Sequence, residues 1–70
     1  MYKALALTFN SETMVFKAQK KLELKYNDSA FLICSKKKKI ILVYQDSKNS
    51  KIINRNLKMI KLLKQYGGKL

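Results

Sequence analysis

Four consecutive lysines are the residues of this chain whose type and spacing most clearly point to a chemistry: Lys36, Lys37, Lys38 and Lys39. They separate two apolar segments, residues 30–34 and residues 40–44. Adjacent like charges are unfavourable without a counterion-rich partner, so the run predicts a hairpin tip that contacts the phosphates of a nucleic acid. The alternative is a solvated turn whose charge keeps an apolar hairpin soluble and discourages edge pairing.

Two further groups of lysines extend this candidate surface. Lys51, Lys58 and Lys61 fall on the outer side of a predicted C-terminal helix and have no glutamate four residues before them, although exposed helices commonly carry lysine on their wet side. Lys20 and Lys21 continue the positive field along a predicted first strand, together with Lys17 and Lys25. Fifteen of the sixteen basic residues are lysine, which favours contact with phosphates over the reading of bases.

The composition speaks against catalysis and metal binding. The chain has no histidine, one cysteine and four carboxylates, which are Glu12, Glu23, Asp28 and Asp46. These groups are too few and too scattered for a ligand cluster or a general acid and base pair. We therefore predict no enzyme activity, no catalytic residue, no metal, no cofactor and no small-molecule substrate. A net charge of +12 instead predicts a polyanionic partner, most commonly a nucleic acid.

Chain length and cysteine content predict one small domain, residues 1–70, in a reducing compartment. A chain of this size buries only about 60% of its unfolded surface, so its stability alone should be marginal. Cys34 has no second cysteine to pair with and is predicted to be a buried apolar residue. The longest apolar run, residues 40–44, is too short to span a bilayer. No membrane association is predicted, and the expected location is the cytoplasm.

The pattern of apolar residues predicts an α+β fold. Residues 2–9 are predicted as a short N-terminal helix, residues 10–12 as a polar break that could cap a further turn, and residues 13–20 fit a strand or a helix equally well. Residues 22–26 alternate as in a half-buried strand, residues 27–29 signal a turn, and residues 30–34 and 40–44 form a hairpin turning near Lys36 and Lys37. The three strands would form a small antiparallel meander.

A C-terminal amphipathic helix is predicted to pack on one face of this sheet. Asn49 or Ser50 would begin the helix, Tyr66 would end it, and Gly67 would cap it. Its apolar residues share one arc: Ile52, Ile53, Leu57, Met59, Ile60 and Leu63.

Aromatic residues and methionines are divided between the core and possible base stacking. Phe9, Phe31 and Tyr44 are predicted to pack in the core, whereas Tyr26 and Tyr66 fit either role. Met14 and Met59 are predicted to fill the core.

Residues 31–57, FLICSKKKKIILVYQDSKNSKIINRNL, resemble the hairpin and final helix of the large-subunit ribosomal protein thirty-eight family. The likeness runs without a gap through Phe31, Leu42, Val43, Asp46 and Leu57. The resemblance implies helices on a three-stranded sheet and a structural role in the large ribosomal subunit. It also implies rRNA and neighbouring ribosomal proteins as partners, with no catalytic residue.

A second resemblance leads to another ribonucleoprotein. The segments LKY at residues 24–26 and LVY at residues 42–44 are similar to the nine-kilodalton Alu-domain subunit of the signal recognition particle. This resemblance implies the order α-β-β-β-α and a sheet that binds RNA. Two other possibilities are a different nucleic-acid binder and a small basic protein that docks on an acidic protein partner.

Overall fold

A computed structural model describes residues 1–27 and 31–70 of the chain. The elements follow in the order β1 (Tyr2–Thr8), α1 (Glu12–Lys25), β2 (Phe31–Lys36), β3 (Lys39–Gln45) and α2 (Ser50–Gln65). The strands form one antiparallel sheet in the order β1-β3-β2, and both helices contribute to a core on one face of it. The predicted α+β class, with one three-stranded antiparallel sheet and a C-terminal helix, is confirmed.

The predicted N-terminal helix is wrong, because residues 2–8 form β1. Leu5, Leu7 and Phe9 also alternate with smaller or polar residues, and this period of two places them on the core side of a strand. Each residue of β1 is paired with one of β3, from Tyr2 opposite Gln45 to Thr8 opposite Lys39. An isolated helix of this length would be unstable, whereas pairing with β3 stabilises the segment as a strand along its whole length.

The predicted strand at residues 22–26 is also wrong, because residues 22–25 belong to α1. The segment at 13–20, which fitted either structure, is helical. Ser11 begins the helix, and its Oγ accepts a hydrogen bond from the Met14 N–H at 3.2 Å. Val15, Ala18 and Leu22 are buried at helical spacing, whereas the alternating pattern relied on Leu24, which is 70% exposed.

The sheet is therefore not a meander, since its first strand comes from before α1 and lies on the far side of β3. The predicted hairpin is confirmed, with β2 and β3 in register from Phe31 opposite Tyr44 to Lys36 opposite Lys39. Its turn is at Lys37 and Lys38, one residue later than expected. Most of the turn predicted at residues 27–29, and residue 30 of the predicted strand, lie outside the described residues.

The boundaries predicted for α2 are confirmed. Asn49 caps the first turn, with its Oδ1 accepting a hydrogen bond from the Lys51 N–H at 2.9 Å. Gly67 follows the helix with a φ of 99°. The Gly67 N–H donates to the Lys64 carbonyl and the Gly68 N–H to the Leu63 carbonyl, both at 3.0 Å. These are the two bonds of a Schellman motif.

The buried side of α2 is rotated from the predicted arc. Met59 and Leu63 are buried as expected, but Ile53 and Leu57 are 41% and 59% exposed, while Asn56 and Leu62 are buried. The Asn56 side-chain amide donates to the Gln45 carbonyl at 2.8 Å, which turns this polar residue toward β3. The sequence gives no signal for this hydrogen bond, because a polar residue such as Asn56 is not expected on the buried side of an amphipathic helix.

Candidate nucleic-acid interface

The lysine run lies at the tip of the β2–β3 hairpin. Lys36 and Lys39 face each other as the last strand pair, and Lys37 and Lys38 form the two-residue turn. Lys37 has a φ of 53°. The favoured two-residue hairpin turns require a positive φ at this first central position. All four lysines are exposed, so the hairpin fixes their backbone while their ammonium groups remain in solvent.

Two other parts of the chain meet this tip. Thr8 pairs with Lys39 on one side and with Lys69 on the other, exchanging two 2.8 Å backbone hydrogen bonds with Lys69. The Phe9 N–H donates to the Lys38 carbonyl at 2.7 Å. The sheet end therefore brings together five lysines, which we call the lysine end: Lys36, Lys37, Lys38, Lys39 and Lys69.

The lysine end is concave and has no internal counter-charge. Residues 36–39, Thr8 and Phe9 line an open cavity of about 530 Å³. Among residues 1–27 and 31–70 the one ion pair joins Lys3 to Asp46 at 3.7 Å, away from this end. Lys69, which the sequence analysis did not select, is brought here by the Gly67–Gly68 reversal. A glycine pair followed by lysine is too general a signal to have predicted that contact.

A second basic concavity lies between the helices. Lys58 and Lys61 line it from α2, and Lys25 lines it from the end of α1, with Tyr26, Leu62 and Gln65 completing a volume of about 450 Å³. Lys51 was predicted with Lys58 and Lys61, but it occupies the first turn of α2 and does not line this groove. All three lysines are exposed on α2, as predicted, and the structure adds Lys25 to the groove that Lys58 and Lys61 line.

Lys20 and Lys21 lie on α1 and not on a strand, which corrects their predicted position. The Lys20 ammonium lies over the exposed Phe16 ring, 5.8 Å from its centroid. Lys21 lines a small depression with Leu24 and Lys25. Both lysines are exposed on the outer surface of the helix, apart from the cavity at the lysine end.

The aromatic side chains are divided much as predicted. Phe9 is buried, and Phe31 and Tyr44 pack against the core, as expected. Tyr26 and Tyr66, for which the sequence fits either role, pack against the core as well. Exposed rings that could stack on an unpaired base are those of Tyr2 and Phe16, which are 61% and 64% exposed.

The single arginine is only partly accessible. Arg55 is half-buried on α2, and its Nε and Nη2 atoms are buried without a hydrogen-bond partner among the described residues. It is therefore poorly placed for a bidentate contact with an external phosphate. External anions would meet lysines almost exclusively.

The face of the sheet opposite the helices is apolar and open. The register places Ala4, Val43 and Leu32 in one row across this face, and Ala6, Ile41 and Cys34 in the next. Cys34 is exposed there, so its predicted burial is wrong. The hairpin register turns Cys34 away from the helices, because its neighbour Ile33 faces the core.

No protein-family model, curated protein or solved structure matches this chain. Within the part of the chain that the structure describes, no helix is long and apolar enough to cross a membrane.

Proposed function

We propose that this protein is a non-enzymatic RNA-binding module that holds backbone phosphates at its lysine end. The observation that carries the proposal is that the four hairpin lysines line one open concavity, while the Thr8–Lys69 bridge places a fifth lysine at the same end of the sheet. Such a cluster gains most from a polyanion because phosphate contacts release condensed counterions.

The chemistry of the site favours the backbone of a folded RNA over its bases. Lysine ammonium groups are strongly hydrated point charges without the planar fork that reads guanine. The open sheet face has Tyr2 as its one aromatic side chain among the described strands, so a row of stacked bases is not supported. The groove with Lys25, Lys58 and Lys61 offers a second place for phosphates.

The cytoplasmic ribosome, and its large subunit in particular, is the setting that we propose for this activity. The segment with the ribosomal resemblance, residues 31–57, consists of a hairpin followed by a helix, in the order that the resemblance implies. rRNA and neighbouring ribosomal proteins would then be its partners. The signal recognition particle is a weaker alternative, because the order β-α-β-β-α differs from the α-β-β-β-α of that resemblance.

Salt-dependent RNA binding tests the site. Replacing residues 36–39 with glutamine keeps the turn polar, and each phosphate that is no longer neutralised should lower the slope of log affinity against log salt by about 0.7–0.9. If two or three phosphates are released in this way, the slope should fall by about two, to the same extent on every folded RNA. The control replaces an equal number of exposed lysines that line neither concavity, which are Lys17, Lys20, Lys48 and Lys51.

A control variant that weakens binding as much as the hairpin variant would show that net charge, and not the lysine end, determines affinity. Weakening on one RNA sequence alone would show base or groove reading and contradict the phosphate mechanism.

Gradient sedimentation of cell extract tests the setting. Comigration with large ribosomal subunits supports it, and comigration with a lighter ribonucleoprotein favours the signal recognition particle. A complex that resists ribonuclease, with no fraction that comigrates with a ribonucleoprotein, would contradict the RNA-binding proposal.

A further inference from the structure

Among the described residues, the outer edge of β1 has no strand partner before Thr8. β1 is the last strand on its side of the sheet, and the N–H and C=O groups of Leu5 and Leu7 point toward β3. Thr8 uses its outward groups to bind Lys69. Because these directions alternate along a strand, the N–H and C=O groups of Ala4 and Ala6 point outward, as those of Thr8 do. Residues 1–27 and 31–70 supply no strand to pair with them.

The edge is open to a further strand. Its side chains at positions 4 and 6 are alanines, and β1 has neither proline nor a bulge. Natural edge strands are usually protected by charge, proline or a bulge. The charged residue of β1, Lys3, is already within 3.7 Å of Asp46.

Lys69 shows which direction an added strand would take. Its pairing with Thr8 is antiparallel, so a strand continuing this pairing would pass Ala6 and then Ala4. With it, the fold would acquire the sixth element of the β-α-β-β-α-β arrangement, of which the described chain has five.

A partly exposed apolar strip on α2 lies on the same side of the molecule. Ile53, Leu57 and Ile60 recur at helical spacing, and they lie on the flank of α2 opposite to Lys58 and Leu62, which face α1. Because α1 lies over β2, where Ser35 donates a hydrogen bond to Gln19, the opposite flank of α2 is on the β1 side. A strand beside β1 would run along this strip.

We propose that the β1 edge accepts an extended segment of an acidic partner protein by strand addition. The net charge of +12 selects against a basic partner and against a second copy of the chain. Residues of the added strand that point to the helix side would be apolar and meet Leu5 and the strip on α2. Those on the open face would be acidic, because the net positive charge of the chain favours carboxylates on a bound partner. This protein contact is separate from RNA binding at the lysine end.

A synthetic peptide provides the probe. It has seven residues, the length of β1, and alternates isoleucine with glutamate; the control peptide carries lysine in place of glutamate. Hydrogen exchange of the full chain is followed by NMR at one fixed salt concentration. At a peptide concentration about ten times its Kd, exchange at the Ala4 and Ala6 amides should slow about tenfold. The lysine peptide should leave both rates unchanged.

Two pairs of variants locate the contact. Ala4→Pro removes an outward N–H without breaking the β1–β3 ladder and should weaken binding of the labelled glutamate peptide about tenfold or more, whereas Ala4→Val should not. Leu57→Lys should weaken it several-fold. Leu24→Lys, at a leucine on α1 that is 70% exposed against 59% for Leu57, should not. Leu57→Lys and Leu24→Lys both leave β1 intact, so comparing them tests the contact even if Ala4→Pro fails to fold.

Unchanged Ala4 and Ala6 exchange in the presence of bound glutamate peptide would overturn the proposal, as would equal binding of the lysine peptide. Concentration-dependent protection of these amides without peptide, with a dimer in sedimentation, would identify a second copy as the occupant and also overturn it. None of these outcomes depends on whether the lysine end binds RNA.

Discussion

Lys37 is both a candidate phosphate contact and a residue in the left-handed backbone region, with a φ of 53°. Such a conformation strains a residue with a Cβ atom, and glycine relieves the strain while losing more chain entropy on folding. We expect Lys37→Gly to raise the free energy of unfolding by about 0.5–1 kcal/mol in urea denaturation. The same variant should weaken RNA binding, because it removes one ammonium group.

Lys38→Gly is the matched control for this prediction. Lys38 is the second turn residue and has no positive φ, so glycine there adds chain entropy without relieving strain. Lys38→Gly should therefore lower the free energy of unfolding. It should weaken RNA binding about as much as Lys37→Gly does, because each variant removes one ammonium group. If both glycine variants destabilise equally, the turn at Lys37 is not strained.

Gly67 is the second position where backbone conformation restricts the residue type. Its φ is 99°, and a Cβ atom there would collide with the end of the Met14 side chain. We expect Gly67→Ala to cost about 1–3 kcal/mol in chemical denaturation, through strain and crowding together. In the Met14→Ala background, where the collision is absent, Gly67→Ala should still lower stability relative to Met14→Ala alone, because the strained φ remains. No further loss in that background would show that crowding alone is responsible.

At the scale of the element, α2 is oriented by one buried amide. The Asn56 Nδ2 donates to the Gln45 carbonyl at 2.8 Å, while its Oδ1 is buried without a partner among the described residues. Asn56→Asp keeps the shape but replaces the donor with an acceptor facing a carbonyl. We expect a loss of about 2–3 kcal/mol or more in the free energy of unfolding. Asn54→Asp on the exposed side of α2 makes the same charge change, and a comparable loss there would contradict this role for Asn56.

Sequence reasoning located the hairpin and α2 because both carry strong local signals. Two apolar runs flank a polar turn in the first case, and Asn49 and Gly67 mark the ends of the second. It failed for β1 and α1, where Leu5, Leu7 and Leu22 fit more than one period. Their structure is decided by β3, which supplies the partner for β1 and leaves α1 to cover the core.

The candidate site was predictable to the same limited extent. Residues 36–39 were found because they are adjacent in the sequence. Lys69 reaches the lysine end only through its pairing with Thr8, and Lys25 lines the groove between the helices only because the end of α1 lies beside α2. Such contacts between distant segments leave no periodic pattern in a single sequence.

At the scale of the whole molecule, we expect the free protein to be weakly folded in low salt. A net charge of +12 on 70 residues opposes compaction, and the described residues contain one ion pair to offset it. Multivalent anions or folded RNA should raise the melting temperature measured by circular dichroism, because they bind the folded state preferentially. A cooperative melt at high temperature in low-salt buffer without RNA would contradict this expectation. Sodium chloride at matched ionic strength separates general screening from specific anion binding.

The position of β3 between the other two strands also governs the order in which the sheet can assemble. β2 and β3 are joined by a two-residue turn, so their pairing closes a short loop, whereas β1 must wait for a partner that begins at residue 39. Contacts between distant residues form slowly because chain entropy is lost before they stabilise the fold. The hairpin is therefore the natural folding nucleus, and β1 is expected to dock late. During synthesis, β1 is made before either strand of the hairpin and has no partner until β3 exists, which makes it the segment most exposed to misassociation in a nascent chain.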